Sequence, residues 1–237
     1  YTIDCFLLRP LCISSQSPNI SSWGALVDDL ELFLSRYKGR KVVGIGHSVG
    51  GNLVLKAALR DPSVFSNIFL LDPTIFVPYK IYIYKLIRLL KLSKLLHPHL
   101  KSTKNRRSVF NSIEDVFIRY RKKKIFNKIS DEHLRTIVSS IFINKHDDNG
   151  VYLAYPTSWE YHIYETGLID DNFIWKNIKS LKVPTTIITP EKSDALLPDA
   201  IRKIQLMNNN IKFKNIDNST HLFPFEFPES TSDIILN

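Results

Sequence analysis

The octet GIGHSVGG (44–51) joins a β-branched run, KVVGIG (41–46), directly to a helix pattern, GNLVLKAALRDP, that Pro62 closes. A strand turning straight into a helix commits this part of the chain to an α/β layer. It also limits what the glycines can do. A dinucleotide fingerprint starting at Gly44 requires Gly or Ala at position 49, where Val49 stands. A P-loop requires Gly-Lys-Ser/Thr after four intervening residues, and none follows. The octet matches G-x-S-x-G with Ser48 at its centre, the pattern of a nucleophile elbow. In such an elbow the turn is too tight for side chains two residues either side, and Gly46 and Gly50 supply that space. A serine at a helix N-terminus faces free N–H groups and partial positive charge, which favour an oxyanion. Without a base the same octet is only a glycine-rich turn.

A serine hydroxyl needs a base, and the base needs an orienting acid. Strand-elbow-helix enzymes present the three in chain order Ser, acid, His. TTIITPEKSD offers Asp194 just after a strand pattern, with Glu191 as a near alternative, and KNIDNSTHLFPFE offers His221 after the last one. Both fall at carboxyl ends of strands, the edge where parallel sheets build their sites. Asp72 in SNIFLLDP also ends a strand pattern and ranks below Asp194.

Strand and helix patterns alternate on both sides of a long interruption. Strands are expected at TIDCFLLR (2–9, buried, ended by Pro10), KVVGIG, SNIFLLDP (66–73), VPTTIITP (183–190) and IKFKNID (211–217). A helix follows Ser21 or Ser22, with Leu26, Leu30 and Leu34 at helical spacing. The fold class expected is α/β, a mostly parallel sheet with flanking helices and a helical lid insertion. The division is 1–74 for the first part of the core, 75–181 for the lid and 182–237 for the second part of the core. Within the insertion, SIEDVFIRYRKKKIF and SDEHLRTIVSSI read as helices, the latter capped at Ser130.

Charge is concentrated in that insertion. The chain carries a net +9, yet Lys80 to Ile125 alone holds 14 Lys/Arg against Glu114 and Asp115, leaving about −3 for the rest. The stretch 79–96, YKIYIYKLIRLLKLSKLL, places Ile83, Leu86, Ile87 and Leu90 on one face and Lys/Arg at 85, 88 and 91 largely on another. The favoured reading is a lid helix whose apolar face covers the active site. The rival is a helix that docks on an anionic membrane or captures an acyl chain, with Tyr79, Tyr82 and Tyr84 near the interface. RYRKKK (119–124) is a single basic run without a recognised nucleic-acid motif, so no nucleic-acid partner is expected.

SSWGALVDDLELFL, VVGIGHSVGGNLVLKAAL, SVFSNIFLLDP, VFIRYRKKKIF, YPTSWEYHIYETG and EKSD…HLFPFEFPE together resemble the lidded serine-hydrolase branch of the α/β-hydrolase superfamily, in order and over nearly the whole chain. The resemblance implies Ser48 as nucleophile, His221 as base, Asp194 as acid and the Val49 backbone N–H as an oxyanion donor. It places His47, Trp159 and Glu160 along the substrate. In that superfamily three strands and a loop with a second oxyanion donor precede the strand that residues 2–9 resemble. The expectation is therefore the last four-fifths of a longer product, or a sheet in which 2–9 pairs directly with 41–46.

The implied activity is cofactor-free cleavage of a carboxylic ester or related small-molecule acyl substrate, or acyl transfer through the same triad. The rival class is a non-catalytic protein that binds a ligand or a membrane surface. Ser48 disfavours epoxide hydrolase and dehalogenase chemistry, which resembles attack by Asp. No metal is expected, because His97, His99, His133, His146 and His162 form no ligand constellation with cysteine or carboxylates. Only Cys5 and Cys12 occur, which fits a reducing, cytoplasmic setting. No apolar run reaches the 18 residues or so of a membrane span.

Overall fold

A computed structural model describes residues 2–9, 20–93, 100, 102–103, 105–144 and 150–237. Cys12, His97, His99, His146 and residues 94–96 of the basic stretch lie outside them.

The described core is a four-stranded parallel sheet in the order β1-β2-β6-β7. Its strands are β1 (Val42–His47), β2 (Phe65–Leu71), β6 (Thr185–Pro190) and β7 (Lys212–Ile216). The register pairs His47 with Leu71, Leu71 with Ile188 and Pro190 with Ile216, so the carboxyl ends of all four strands share one edge. Alternate residues serve opposite faces. Ile68, Leu70 and Ile187 join the large core beneath α1 (Trp23–Leu34) and α2 (Val49–Arg60). Leu71, Ile188 and Ile216 meet Phe223 on the other face, against the C-terminal residues Ile234 and Ile235. Helix α1 starts at Ser22, whose Oγ accepts from Gly24 N–H at 3.1 Å.

Two expectations about the chain's beginning are corrected. Residues 2–8 form no strand and do not pair with β1. Ile3 and Leu7 are exposed, and the segment is held through Asp4 to Tyr37 and Arg9 to Asp29, with Phe6 and Leu8 resting on the core rim. β1 is therefore an edge strand of the described sheet, with Val43 and Ile45 about half exposed.

The stretch between β2 and β6 is not wholly helical. After α3 (Pro78–Leu89) come the short strands β3 (Val109–Phe110), β4 (Phe142–Asn144) and β5 (Val151–Leu153). They form an antiparallel sheet in the order β3-β5-β4. It shares a second core with α4 (Ile113–Arg121) and α5 (Asp131–Ile141), built on Phe110, Phe117, Tyr120, Leu134 and Phe142. Ser112 and Ser130 cap the two helices. Helices α6 (Thr157–Thr166) and α7 (Asn172–Asn177) return to the main core through Ile163, Ile174 and Trp175. After β6 and β7 the chain adds α8 (Pro198–Met207), α9 (Phe223–Glu226) and α10 (Pro228–Leu236).

Helix α3 reverses the favoured reading of its sequence. Ile81 and Tyr84 are buried, whereas Ile83, Leu86 and Leu90 are each more than half exposed. The apolar face expected to cover the site points to solvent, and Tyr84 is an interior residue. Among the described residues no helix is long and apolar enough to cross a membrane.

Candidate active site

Ser48 sits between the end of β1 and the start of α2 with φ 56° and ψ −118°. A non-glycine residue in such a conformation costs of order 1–3 kcal/mol and persists only where its surroundings fix it. Here Ser48 N–H donates to Leu71 O at 2.9 Å, and Ser48 O accepts from Thr74 N–H at 3.1 Å and Asn52 N–H at 3.3 Å. The glycines are tight where the chain crosses itself. A Cβ on Gly46 would lie 2.3 Å from Gly50 O, and one on Gly51 would lie 2.9 Å from Pro73 Cβ. Gly50 itself has open space where a side chain would go, so Gly46 and Gly51 are the positions that require glycine. Val49 is the first residue of α2, and its N–H consequently has no intrahelical acceptor.

His221 Nε2 lies 2.9 Å from Ser48 Oγ. Its Nδ1 lies 2.6 Å from Asp72 Oδ2. A carboxylate only accepts, so Nδ1 carries the proton and Nε2 is left to accept from the serine hydroxyl. Asp72 is fully buried at the end of β2, also with positive φ, and its N–H donates to Ile188 O at 2.8 Å. Ser193 Oγ lies 2.7 and 2.8 Å from the two Asp72 oxygens and accepts from the N–H groups of Ala195 and Leu196.

The expected carboxylate partner of His221 is thus corrected. Asp72, not Asp194, meets His221. β2 is the neighbour of β1, so the residue ending β2 lies beside the residue ending β1. In the loop after β6 the inward position belongs to Ser193, which clamps Asp72, while Asp194 is exposed. Glu191 is also exposed and accepts from Asn218 N–H at 2.8 Å. The sequence signal for Asp72 was its place in SNIFLLDP, one strand from the elbow.

His47 supports the arrangement from behind. Its Nε2 lies 2.8 Å from the backbone carbonyl of His221, so that nitrogen carries the hydrogen. The two imidazoles lie 4.7 Å apart, tilted at 34°, and Phe223 and Phe225 meet His47 edge-on. Burial, and secondarily the neighbouring His221, push the His47 pKa down to about 4. His47, expected along the substrate, is committed to the backbone of His221.

A second polar group lies under the elbow helix. Lys56, 2% exposed, reaches Asp170 at 2.7 Å and the fully buried Asp171 at 2.6 Å. Burial raises the Asp171 pKa, against the pull of Lys56. Asn52 Nδ2 donates to Asp171 Oδ2 at 3.1 Å and to Thr74 O at 2.8 Å. Thr74 Oγ1 lies 3.4 Å from Ser48 Oγ, so this buried group braces the loop beside the serine. Nothing in the composition of the α2 pattern distinguishes Lys56 from a surface lysine.

Of the two expected insert residues, Trp159 is buried at 3% exposure, and the Glu160 carboxylate is gripped by Arg106 through bonds of 2.6 and 2.9 Å. Tyr155 and Tyr164 flank that pair, their phenols pushed up to about 12 chiefly by burial. Among the described residues no three His, Cys, Asp or Glu side chains gather as metal ligands.

The pattern of the family described as serine aminopeptidase, S33, matches residues 14–137, just over half the chain. Two type I acyl-CoA thioesterases of Penicillium brevicompactum, mpaH and mpaH′, are each 40% identical to this chain over 57 residues. That stretch is 23% of this chain and spans only 13% of theirs. Among solved structures, E-2-(acetamidomethylene)succinate hydrolase superposes with a TM-score of 0.72 at 16% identity, covering 94% of this chain and 76% of its own. The peroxisomal α/β-hydrolase Lpx1 of Saccharomyces cerevisiae gives 0.69 at 18% identity, covering 90% and 58%. The thioesterase domain of the curacin biosynthetic pathway gives 0.67 at 16%, covering 91% and 72%. At these identities the likeness is one of fold.

Proposed function

Since the chain belongs to the serine aminopeptidase S33 family, within the α/β-hydrolase superfamily, we propose that it is a serine hydrolase cleaving a carboxylic ester or thioester through Ser48, His221 and Asp72. The observation that carries this reading is the single imidazole spanning a buried carboxylate at 2.6 Å and an elbow hydroxyl at 2.9 Å.

In this mechanism Ser48 Oγ attacks the substrate carbonyl carbon while His221 Nε2 takes the hydroxyl proton. Asp72 holds the Nδ1–H and stabilises the imidazolium that forms. The Val49 N–H, unused within α2, donates to the developing oxyanion. Collapse of the tetrahedral intermediate breaks the bond to the alkoxide or thiolate, which takes the proton back from His221 and leaves an acyl-Ser48. Water, deprotonated by the same Nε2, attacks that ester, releases the acid and restores the hydroxyl. The thioesterase activity of the Penicillium relatives supports including thioesters in the substrate class.

The test is labelling with a fluorophosphonate read by intact mass, alongside hydrolysis of p-nitrophenyl esters and acyl thioesters. One adduct on the parent chain and none on Ser48→Ala is the expected result. A folded parent that takes no adduct and hydrolyses neither class overturns the proposal.

A further inference from the structure

Helix α3 presents three distinct faces. The inner one is fixed: Ile81 is fully buried, Tyr84 Oη donates to the carbonyls of Tyr164 and Glu165 at 3.0 Å, and Arg88 Nη1 donates to Glu165 O at 2.8 Å. The outer one is apolar and uncovered among the described residues. Tyr79, Tyr82, Ile83, Leu86, Leu89 and Leu90 are 53–78% exposed. Their spacing of three and four places them in one stripe along the helix. Large apolar groups scattered singly on a surface are ordinary, but a continuous stripe of six marks an interaction surface.

The flanks are cationic. Residues 78–91 contain Lys80, Lys85, Arg88 and Lys91 and no acidic residue. Lys80 is tied to Asp199 at 2.8 Å, which pins the helix start to α8. Lys85 and Lys91 have no acidic partner among the described residues. At the far end Lys91 adopts φ 59°, and Leu92 N–H closes back on Ile87 O at 2.9 Å. The helix therefore ends in a fixed turn. A partner for this surface must accept an apolar stripe with tyrosines at its margin and must supply negative charge along both sides.

We propose that α3 docks on an anionic lipid bilayer. The helix lies in the interfacial plane, with Ile83, Leu86, Leu89 and Leu90 among the acyl chains. Tyr79 and Tyr82 sit at headgroup level, and Lys85 and Lys91 lie beside the lipid phosphates and carboxylates. This is the arrangement of an amphipathic interfacial helix, not of a spanning one. The local excess of 14 Lys/Arg over two acids between Lys80 and Ile125 adds attraction to the same sign of surface. The proposal uses neither Ser48 nor His221 and stands independently of the catalytic reading.

The experiment is co-sedimentation of the full chain with vesicles of phosphatidylcholine, with and without phosphatidylserine. The chain should sediment with the phosphatidylserine vesicles and be released near 1 M salt, where charges are screened beyond about 3 Å. Leu86→Asp/Leu89→Asp should lower the partition coefficient at least roughly tenfold. Lys85→Ala/Lys91→Ala should lower it by about fivefold per lysine. All four side chains are partly or largely exposed, so thermal melts should stay at the parent value. A parent that ignores phosphatidylserine vesicles overturns the proposal, as does a lysine pair variant that binds like the parent. A sedimentation velocity run gives the competing outcome. A dimer that Leu86→Asp/Leu89→Asp dissociates, without lipid binding, assigns the stripe to a second copy of the chain and also overturns it.

Discussion

Helices α2 and α3 are the same length, twelve residues each, and face opposite fates. α2 buries eight consecutive residues, Gly51–Ala58, including a lysine; α3 buries only Ile81 and Tyr84 and turns its leucines outward. The difference lies in what each is attached to. α2 leaves the sheet through a tight turn, where Gly46 abuts the Gly50–Gly51 backbone and Gly51 abuts Pro73, and it lies between the sheet, α1 and α7. Packed on every side, it must neutralise Lys56 internally, and Asp170 and Asp171 do so. α3 hangs from Pro78 and meets the body of the protein along one line. Helical periodicity states how wide a stripe is; the surrounding elements decide whether the stripe is covered.

The sharpest test of the α2 corner is its acid. Asp72→Asn should lower kcat roughly 10⁴-fold by removing the charge that fixes the His221 tautomer, whereas Asp194→Asn should leave it near the parent value. Ester hydrolysis by the two variants checks this, and the reverse ranking would return the acid to the loop after β6. Next in size is the buried pair. Lys56→Ala should cost about 3–5 kcal/mol, because it leaves Asp171 buried without its cation. Replacing both residues with apolar ones, Lys56→Met/Asp171→Leu, should recover much of that loss in urea titrations. If the single and double variants melt alike, the pair is not what makes burial of α2 tolerable.

Much of that corner was legible in the order of residues alone. A β-branched run, the octet around Ser48 and a small-residue helix specify strand, elbow and helix through local sterics, and His221 follows from its place after the last strand. The parallel core, the Ser22 and Ser130 caps and α4 and α5 follow from the same kind of local rule. The acid was not legible, because chain order places no carboxylate in space. What brings Asp72 to His221 is the β1–β2 adjacency together with the Ser193 clamp and the His221 contact itself, the last two spanning 121 and 149 residues. The segment 2–9 shows the converse. Its apolar run satisfies the local rule for a strand, yet strands form by pairing, and among the described residues no strand pairs with it. Lys56 and α3 fail in opposite directions for one reason: burial is a property of neighbours.

His47 gives a smaller effect with a defined sign. Its pKa falls from near 6.5 to about 4 in the folded chain, so between those values the unfolded chain binds more protons. Stability should therefore fall as pH drops from about 6.5 to about 4, by about 3 kcal/mol, and change little further through this group below that. His47→Gln, whose amide can still donate to the His221 carbonyl, should flatten that part of the urea-denaturation pH profile. A slope that survives the substitution would assign it to other groups.

The smallest effect is expected on α3, and it is the one that separates the two helices most plainly. Ile83→Ala removes as much apolar side chain as a truncation in α2 would. Ile83, however, is 53% exposed, so most of the lost surface was already in water and no closed cavity is left behind. The change should stay within about 0.5 kcal/mol of the parent. Leu55→Ala in α2, where the side chain is fully buried, should cost roughly 2–5 kcal/mol for the same chemistry. Urea midpoints for the two variants give the comparison directly. A large loss at Ile83 would mean that in solution this face is covered, and that α3 packs as α2 does.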